Sequence, residues 1–369
     1  MFSFIPGLSF GTTMTLKKYL LFVAIALFIL SGCSKSGNNI TPVHPSTTDT
    51  SAYPVVNTKA DVYLAGNTDD ANNEAVATYW KNGVPAVLAK SANGLRSDAY
   101  AIAIDGTDVF IAGSTSGASN YDVASYWKNG VLTQLHGSVG GGSGALAINI
   151  NSSDVYIAGF ATASNTNVVA TWWKNGVATL LDGLTNAGSQ ANAIAVSGSD
   201  VYLAGWIYDY GKKYYEAIYL KNGVSTILSA DPNQSMANGI AINGTDVYVV
   251  GVIGNVATLW KNGIATSLAG AADVSMAKAI VISGNDIYVS GYVNAVATYW
   301  KNGVATSLTF GSPGLQQDMG DGLALNGTDV FMTGGFDLQN INDLYWFNGL
   351  PVKLESKTGL VRGIAVVPK

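Results

Sequence analysis

Cysteine occurs once in this 369-residue sequence, at Cys33, so the chain can form no internal disulfide and no thiolate metal cluster. Histidine occurs twice, at His44 and His136, which leaves neither a histidine-rich metal site nor an obvious Ser-His-Asp triad. Charged residues make up 12% of the chain and the formal charge is −5, with no concentration of Lys and Arg, which excludes nucleic acid as a partner. No phosphate-binding glycine motif and no cofactor-lysine signature is present, so no cofactor is expected. Stability must come from packing.

What is abundant points the other way: 43 Gly, 19 Tyr and 48% apolar residues suit many short strands joined by tight turns. The chain also repeats. Asp-Val-Tyr-Leu-Ala-Gly at 61–66 has relatives beginning at Asp108, Asp154, Asp200, Asp246, Asp286 and Asp329, at spacings of 47, 46, 46, 46, 40 and 43 residues. Each copy continues with a segment like Ala-Thr-Tyr-Trp-Lys-Asn-Gly-Val at 77–84, recurring around Trp127, Trp173, Leu220, Trp260, Trp300 and Trp346. A third element, such as Ala-Ile-Ala-Ile-Asp-Gly-Thr-Asp at 101–108, leads into the next copy.

Each copy reads as four strands, A to D: A at 101–104, a tight turn, B at 108–113, C ending at Lys128, the hairpin pair Asn129-Gly130, and D at 131–135. A period in the forties with four strands per unit predicts an all-β, seven-bladed β-propeller of four-stranded antiparallel blades over residues 53–369. A β-solenoid is the alternative, but its coils are shorter and need no antiparallel Asn-Gly hairpins. The orphan strand A at 363–366 is expected to complete blade one, with residues 53–56 competing for the slot. The pattern at 239–251 resembles the NHL and SBBP types of bacterial propeller repeat, and that at 297–308 resembles the extracellular HAF type.

The N-terminal residues carry an export signal. Lys17 and Lys18 precede an apolar run, 19–30, that is shorter than the roughly 20 residues of a membrane-spanning helix. Leu30-Ser31-Gly32-Cys33 resembles the lipobox of bacterial lipoproteins. That resemblance implies a signal peptide over 1–32 (Met14 being a candidate true start), acylation of Cys33, and membrane attachment through acyl chains. A plain secretory signal or an uncleaved anchor is the alternative. Residues 33–52 read as the acylated cysteine and a flexible tether, and Ser34 is compatible with outer-membrane sorting in the cell envelope.

The strand B aromatics and strand C tryptophans are expected in the core. The repeated aspartates are expected to bond backbone amides beside turns, and the glycines to serve strand ends and turns. Function is expected on the face carrying the BC loops and D-to-A connections, which vary from copy to copy where the AB and CD turns do not. Two groups there are candidate ligand-binding residues. Trp206, Tyr208 and Tyr210 share one side of the fourth loop if it extends as a hairpin. Tyr100, Leu146, Asn192, Asn238, Lys278, Asp321 and Arg362 should ring the mouth of the central channel, the last three making a small charged cluster for an anion or carbohydrate or, as the plainer reading, a solvated ion pair. The expected function is a monomeric, non-enzymatic binding or scaffolding lipoprotein engaging a glycan or protein. The alternative is a carbohydrate-active hydrolase or lyase using Asp318 or Asp321. Asp69, Asp70, Asn72, Asn73 and Glu74 offer calcium-type oxygen ligands without EF-hand spacing, and no metal site is expected.

Overall fold

The computed structural model describes residues 58–92, 95–117, 121–137, 141–163, 167–181, 187–229, 233–308, 320–334, 344–354 and 359–369. The signal segment, Cys33, His44, the tether, residues 53–56 and Asp318 lie outside them. Within them, strands β1 (Ala60–Asp69) to β28 (Gly359–Pro368) form seven four-stranded antiparallel sheets. Blade two is typical, with β4 (Ser97–Asp105), β5 (Asp108–Ser116), β6 (Asp122–Lys128) and β7 (Val131–Gln134) in sequential order as strands A to D. The strands run further than the sequence suggests. Ser114 to Ser116 continue strand B, and the residues before Tyr100 belong to strand A, so the BC loops are shorter than expected.

Blade one closes the ring as the sequence predicts. Its strand A is β28, which pairs with β1 from Ala60 opposite Pro368 to Thr68 opposite Gly359. Seven apolar clusters, one at each junction between blades, make up the core. At the junction of blades one and two, Tyr63, Ala65 and Ala77 pack on Ala99, Ile102, Ile111 and Trp127. Strand B aromatics face the following blade and strand C tryptophans the preceding one. Trp80, Trp127, Trp173, Trp260 and Trp300 have no exposed surface, which is where large aromatic side chains contribute most.

The turns at the AB/CD end are uniform. Each Asn-Gly pair holds φ of 48–52° at Asn and 80–84° at Gly, the left-handed values of a type I′ turn. The Asn side chain then works in both directions. In blade one Asn82 Nδ2 donates to Asp61 Oδ1 and Asn82 Oδ1 accepts from the Val62 amide. The repeated aspartate therefore bonds side chains, not the backbone amides expected from sequence. Its second oxygen meets the strand C lysine, as in Lys221 with Asp200 at 2.7 Å, and that lysine lies 5.3 Å from the Tyr202 ring centroid. Six blades carry this clasp. In blade seven Phe347 replaces the lysine and packs on Phe331 at 4.9 Å.

A second repeated bond crosses between blades. The first serine of strand A accepts a hydrogen bond from a strand C amide of the preceding blade: Ala77 to Ser97, Ala124 to Ser143, Ala170 to Ser189, Ala217 to Ser235 and Ala257 to Ser275. These serines are buried, so each bond satisfies an otherwise orphaned amide. The sequence carries their signal as a Ser two residues before a strand A alanine.

Candidate binding face

All seven channel residues occupy one kind of position. In every blade the ladder between strands A and B skips there: Tyr100 falls between Ala99 and Ala101, Asn192 between Ala191 and Ala193, and likewise Leu146, Asn238, Lys278 and Arg362. In blade seven the skip takes in Asp321 and Gly322. Each is the extra residue of a β-bulge, a device that re-aims a side chain out of the ladder. The bulge also explains a glycine. A Cβ on Gly113 would collide with the Asp98 carbonyl, and Gly66, Gly159, Gly205, Gly251 and Gly291 meet the same obstacle in their blades. These mid-strand glycines serve backbone approach at the bulge, a correction to their reading as strand-end and turn residues.

Neighbouring bulge residues meet in pairs. Asn192 Nδ2 donates to the Ala237 carbonyl and lies 3.4 Å from Asn238 Oδ1, and Asn238 Nδ2 donates to the Ala277 carbonyl. Arg362 Nη1 likewise reaches Ala99 O at 3.4 Å, so three ring side chains fasten one blade to the next. Lys278 and Asp321 form an ion pair at 3.9 Å. Arg362 does not complete that pair as a charged cluster; it bonds Asn67 Oδ1 and lies over the Tyr100 ring. Its charge still reaches Asp321. About a third of the Asp321 side chain meets solvent, yet the protein packed around the carboxyl dominates: burial raises it, against the pull of Lys278 and Arg362.

Beneath Tyr100 lies a polar network that the sequence did not single out. Asp98, 4% exposed, accepts from Asn67 Nδ2 at 2.5 Å and from Arg96 Nη2 at 2.6 Å. Asn67 Oδ1 accepts in turn from the Ala99 amide. Burial, reinforced by the Asp98 charge, pushes the Tyr100 phenol up to about 12. Burial also raises the nearby Asp122 carboxyl, with Asp98 adding to the rise and Arg96 opposing it.

The fourth loop is the extended hairpin expected of it. β13 (Asp200–Asp209) and β14 (Tyr214–Lys221) pair out to Asp209 opposite Tyr214. Trp206 and Tyr208 share a face, and Tyr215, opposite Tyr208, joins them. Trp206 meets Tyr215 edge-on at 4.9 Å, and Tyr208 meets Tyr215 at 5.0 Å and Tyr210 at 5.1 Å. Tyr215 was missed as a site residue because its membership depends on cross-strand register. On the other face Lys212 pairs with the buried Glu216 at 2.7 Å, while Asp209 Oδ1 caps the Gly211 and Lys212 amides. Tyr202 and Ala204, on the side of Trp206, pack toward blade five, whose β17 (Asp246–Ile253) and β18 (Val256–Lys261) end in a two-residue turn. The aromatic face therefore rises above a low neighbour. Gln190, the register partner of Trp206, donates to Asn192, which joins the hairpin to the channel ring.

Among the calcium-type candidates, Asp70 is engaged. Asp70 Oδ1 accepts from the Asn72 and Glu74 amides and Oδ2 pairs with Lys90 at 2.7 Å, the lysine chiefly holding the carboxyl near 2. Among the described residues no three His, Cys, Asp or Glu side chains converge as a metal site would require. The His136 carbonyl accepts from the Trp173 indole.

Several solved structures share this architecture. The chain aligns with the β-propeller domain of the Trilobed protease from Pyrococcus furiosus at a TM-score of 0.50 and 11% identity, over 81% of this chain and 96% of that one. It matches a Mycobacterium tuberculosis puromycin-hydrolyzing peptidase (0.52, 13%, 83% of this chain) and a puromycin hydrolase (0.53, 10%, 81%). It spans only 53% and 52% of those two chains. The likeness is one of fold. The Pyrococcus domain is described as having an open velcro topology, whereas here β28 and β1 close the ring by pairing. No family model matches the chain, and no curated protein matches it.

Proposed function

We propose that this chain is a lipid-anchored, non-catalytic binding protein of the cell envelope, held at the outer membrane through Cys33, that engages a glycan or protein on its BC/DA face. The observation that carries the reading is the aromatic group Trp206, Tyr208, Tyr210 and Tyr215, lifted on an extended hairpin beside a blade with short turns. Aromatic rings with polar tips suit stacking on sugar faces and anchoring of protein side chains. The assignment of the repeats to NHL, SBBP or HAF types rests on the sequence resemblance alone. A glycan array and a pull-down, each with the Trp206→Ala, Tyr208→Ala, Tyr210→Ala triple variant, test the site. Binding lost at unchanged thermal unfolding supports it, and unchanged binding removes the hairpin.

One observation favours the hydrolase or lyase reading. Asp122, raised by burial, has the character of a general acid. Polysaccharide turnover that disappears in Asp122→Asn, with folding intact, would move the function to that class.

A further inference from the structure

The opposite face has its own regularity. The first residue of strand D in each blade is aliphatic: Val84, Val131, Val177, Val224, Ile264, Val304 and Leu350. All seven are exposed, by 54–74%. Each stands immediately after an Asn-Gly turn and opposite a fixed strand C residue, Lys81 for Val84 through Lys301 for Val304 and Phe347 for Leu350. They therefore lie at one level around the circumference of the AB/CD face. Exposed β-branched residues on outer strands are ordinary one at a time, but a complete ring is an extended apolar contour that only a flat partner can meet at every point.

In six of the seven blades the charges on this contour cancel locally, and in blade seven Phe347 takes the place of the lysine. These lysines, about half exposed, are paired with the strand B aspartates, and their ammonium groups lie over the strand B aromatic rings. Such a surface suits apolar contact with the interfacial layer of a bilayer, with no need of anionic lipid.

The first described strand starts on the same side. β1 is a strand B, so it begins at the AB/CD end, where Lys59 O accepts from the Lys369 amide and Val62 N donates to Asn82. Between Cys33 and Thr58 lie the 24 residues 34–57, which span at most roughly 80 Å when extended. That length would let either face reach the membrane, so the tether supplies proximity and the apolar ring supplies orientation. Proximity of this kind gives an effective concentration in the millimolar range, at which a weak surface contact suffices.

We propose that the AB/CD face is a membrane-docking surface, seated on the lipid interface by its seven aliphatic residues, so that the BC/DA face points away from the bilayer. This rests on the reading of Cys33 as the acylated anchor. The test uses the full chain, spin-labelled through Val177→Cys or, separately, Tyr210→Cys, on phosphatidylcholine vesicles. Mass measurement of the N-terminal peptide reports on Cys33 acylation independently. The label at 177 is expected to lose about fivefold of its accessibility to a water-soluble nickel relaxer while the label at 210 keeps it, and 1 M salt should leave both unchanged. Replacing the other six ring residues with Thr should restore the accessibility at 177. A 177 label as exposed as that at 210 overturns the proposal, with acylated Cys33 or without it. Strong label-to-label broadening at 177 overturns it in favour of a face-to-face pair of chains. An unacylated Cys33 overturns the anchor alone, since the same chain carrying Cys33→Ser, labelled only at 177 or 210 and mixed with the vesicles, still decides whether the ring docks.

Discussion

The Arg362 guanidinium lies 5.0 Å from the centroid of the Tyr100 ring. Arg362 belongs to the last strand of the chain and Tyr100 to the first strand of blade two, so the contact bridges the closure of the ring. Arg362→Ala removes this stacking and the bonds to Asn67 and Ala99, at an expected cost of about 1–3 kcal/mol. The shift in the urea midpoint at unchanged slope measures it. Deleting residues 363–369 takes most of β28 and leaves β1 an open edge, so cooperative unfolding should be lost.

Substitution at the bulge glycines should be far more damaging than at the turn glycines. Gly113→Ala sets a methyl group against the Asp98 carbonyl, whereas a Cβ on Gly130 meets nothing within 4 Å and suffers only from its φ of 80°. We expect about 3 kcal/mol or more for the first and about 1 kcal/mol for the second. Thermal unfolding of the two variants side by side is the comparison.

The two kinds of aspartate should give opposite pH dependence. Burial raises Asp122, so the folded state binds its proton more tightly than the unfolded chain. That contribution favours folding at low pH and is lost as pH rises from the ordinary carboxylate value through the raised one. Asp122→Asn should therefore stabilise the protein at pH 7, and its advantage should vanish as pH falls below about 4. The clasp aspartates behave conversely. Lys128, Lys174, Lys221, Lys261 and Lys301 are the chief cause that lowers Asp108, Asp154, Asp200, Asp246 and Asp286, and Asn82 is the chief cause for Asp61. Their contribution is complete above the ordinary value and lost below it. Urea midpoints of the two proteins from pH 3 to 7 check both signs.

Within a clasp the asparagine should outweigh the lysine. Asn302 holds φ at 51°, donates to Asp286 and accepts from Ile287. Asn302→Ala should cost about 1–2 kcal/mol, whereas Lys301→Met removes an exposed ion pair and an exposed contact with the Tyr288 ring and should lower the melting temperature less. Differential scanning calorimetry distinguishes them.

The blades were legible because their punctuation is local: Asn-Gly twice-left-handed turns have few alternatives, and the strand A at the C-terminus had no blade of its own. The channel residues could be located by counting, but their bulges could not. Tyr100, Leu146, Asn192, Asn238, Lys278, Asp321 and Arg362 share no chemistry, and one extra residue scarcely disturbs a period-two pattern. The trace of the bulge sat on the partner strand, in Gly66, Gly113 and their equivalents, where a glycine at the end of an apolar strand passes for an ordinary stop. The Asp98 network was hidden for a different reason. Its members come from three strands of two blades, and only the ring closure brings Arg362 to it.

The position of β1 within its sheet also has a mechanical meaning. A pull exerted through the residues that precede Thr58 is directed along a strand paired on both flanks, to β28 and to β2 (Ala75–Lys81). Such a load strains the rungs of both ladders together, in shear, instead of peeling them one after another. The strand that ties the ring is then also the one that resists being dragged out of it.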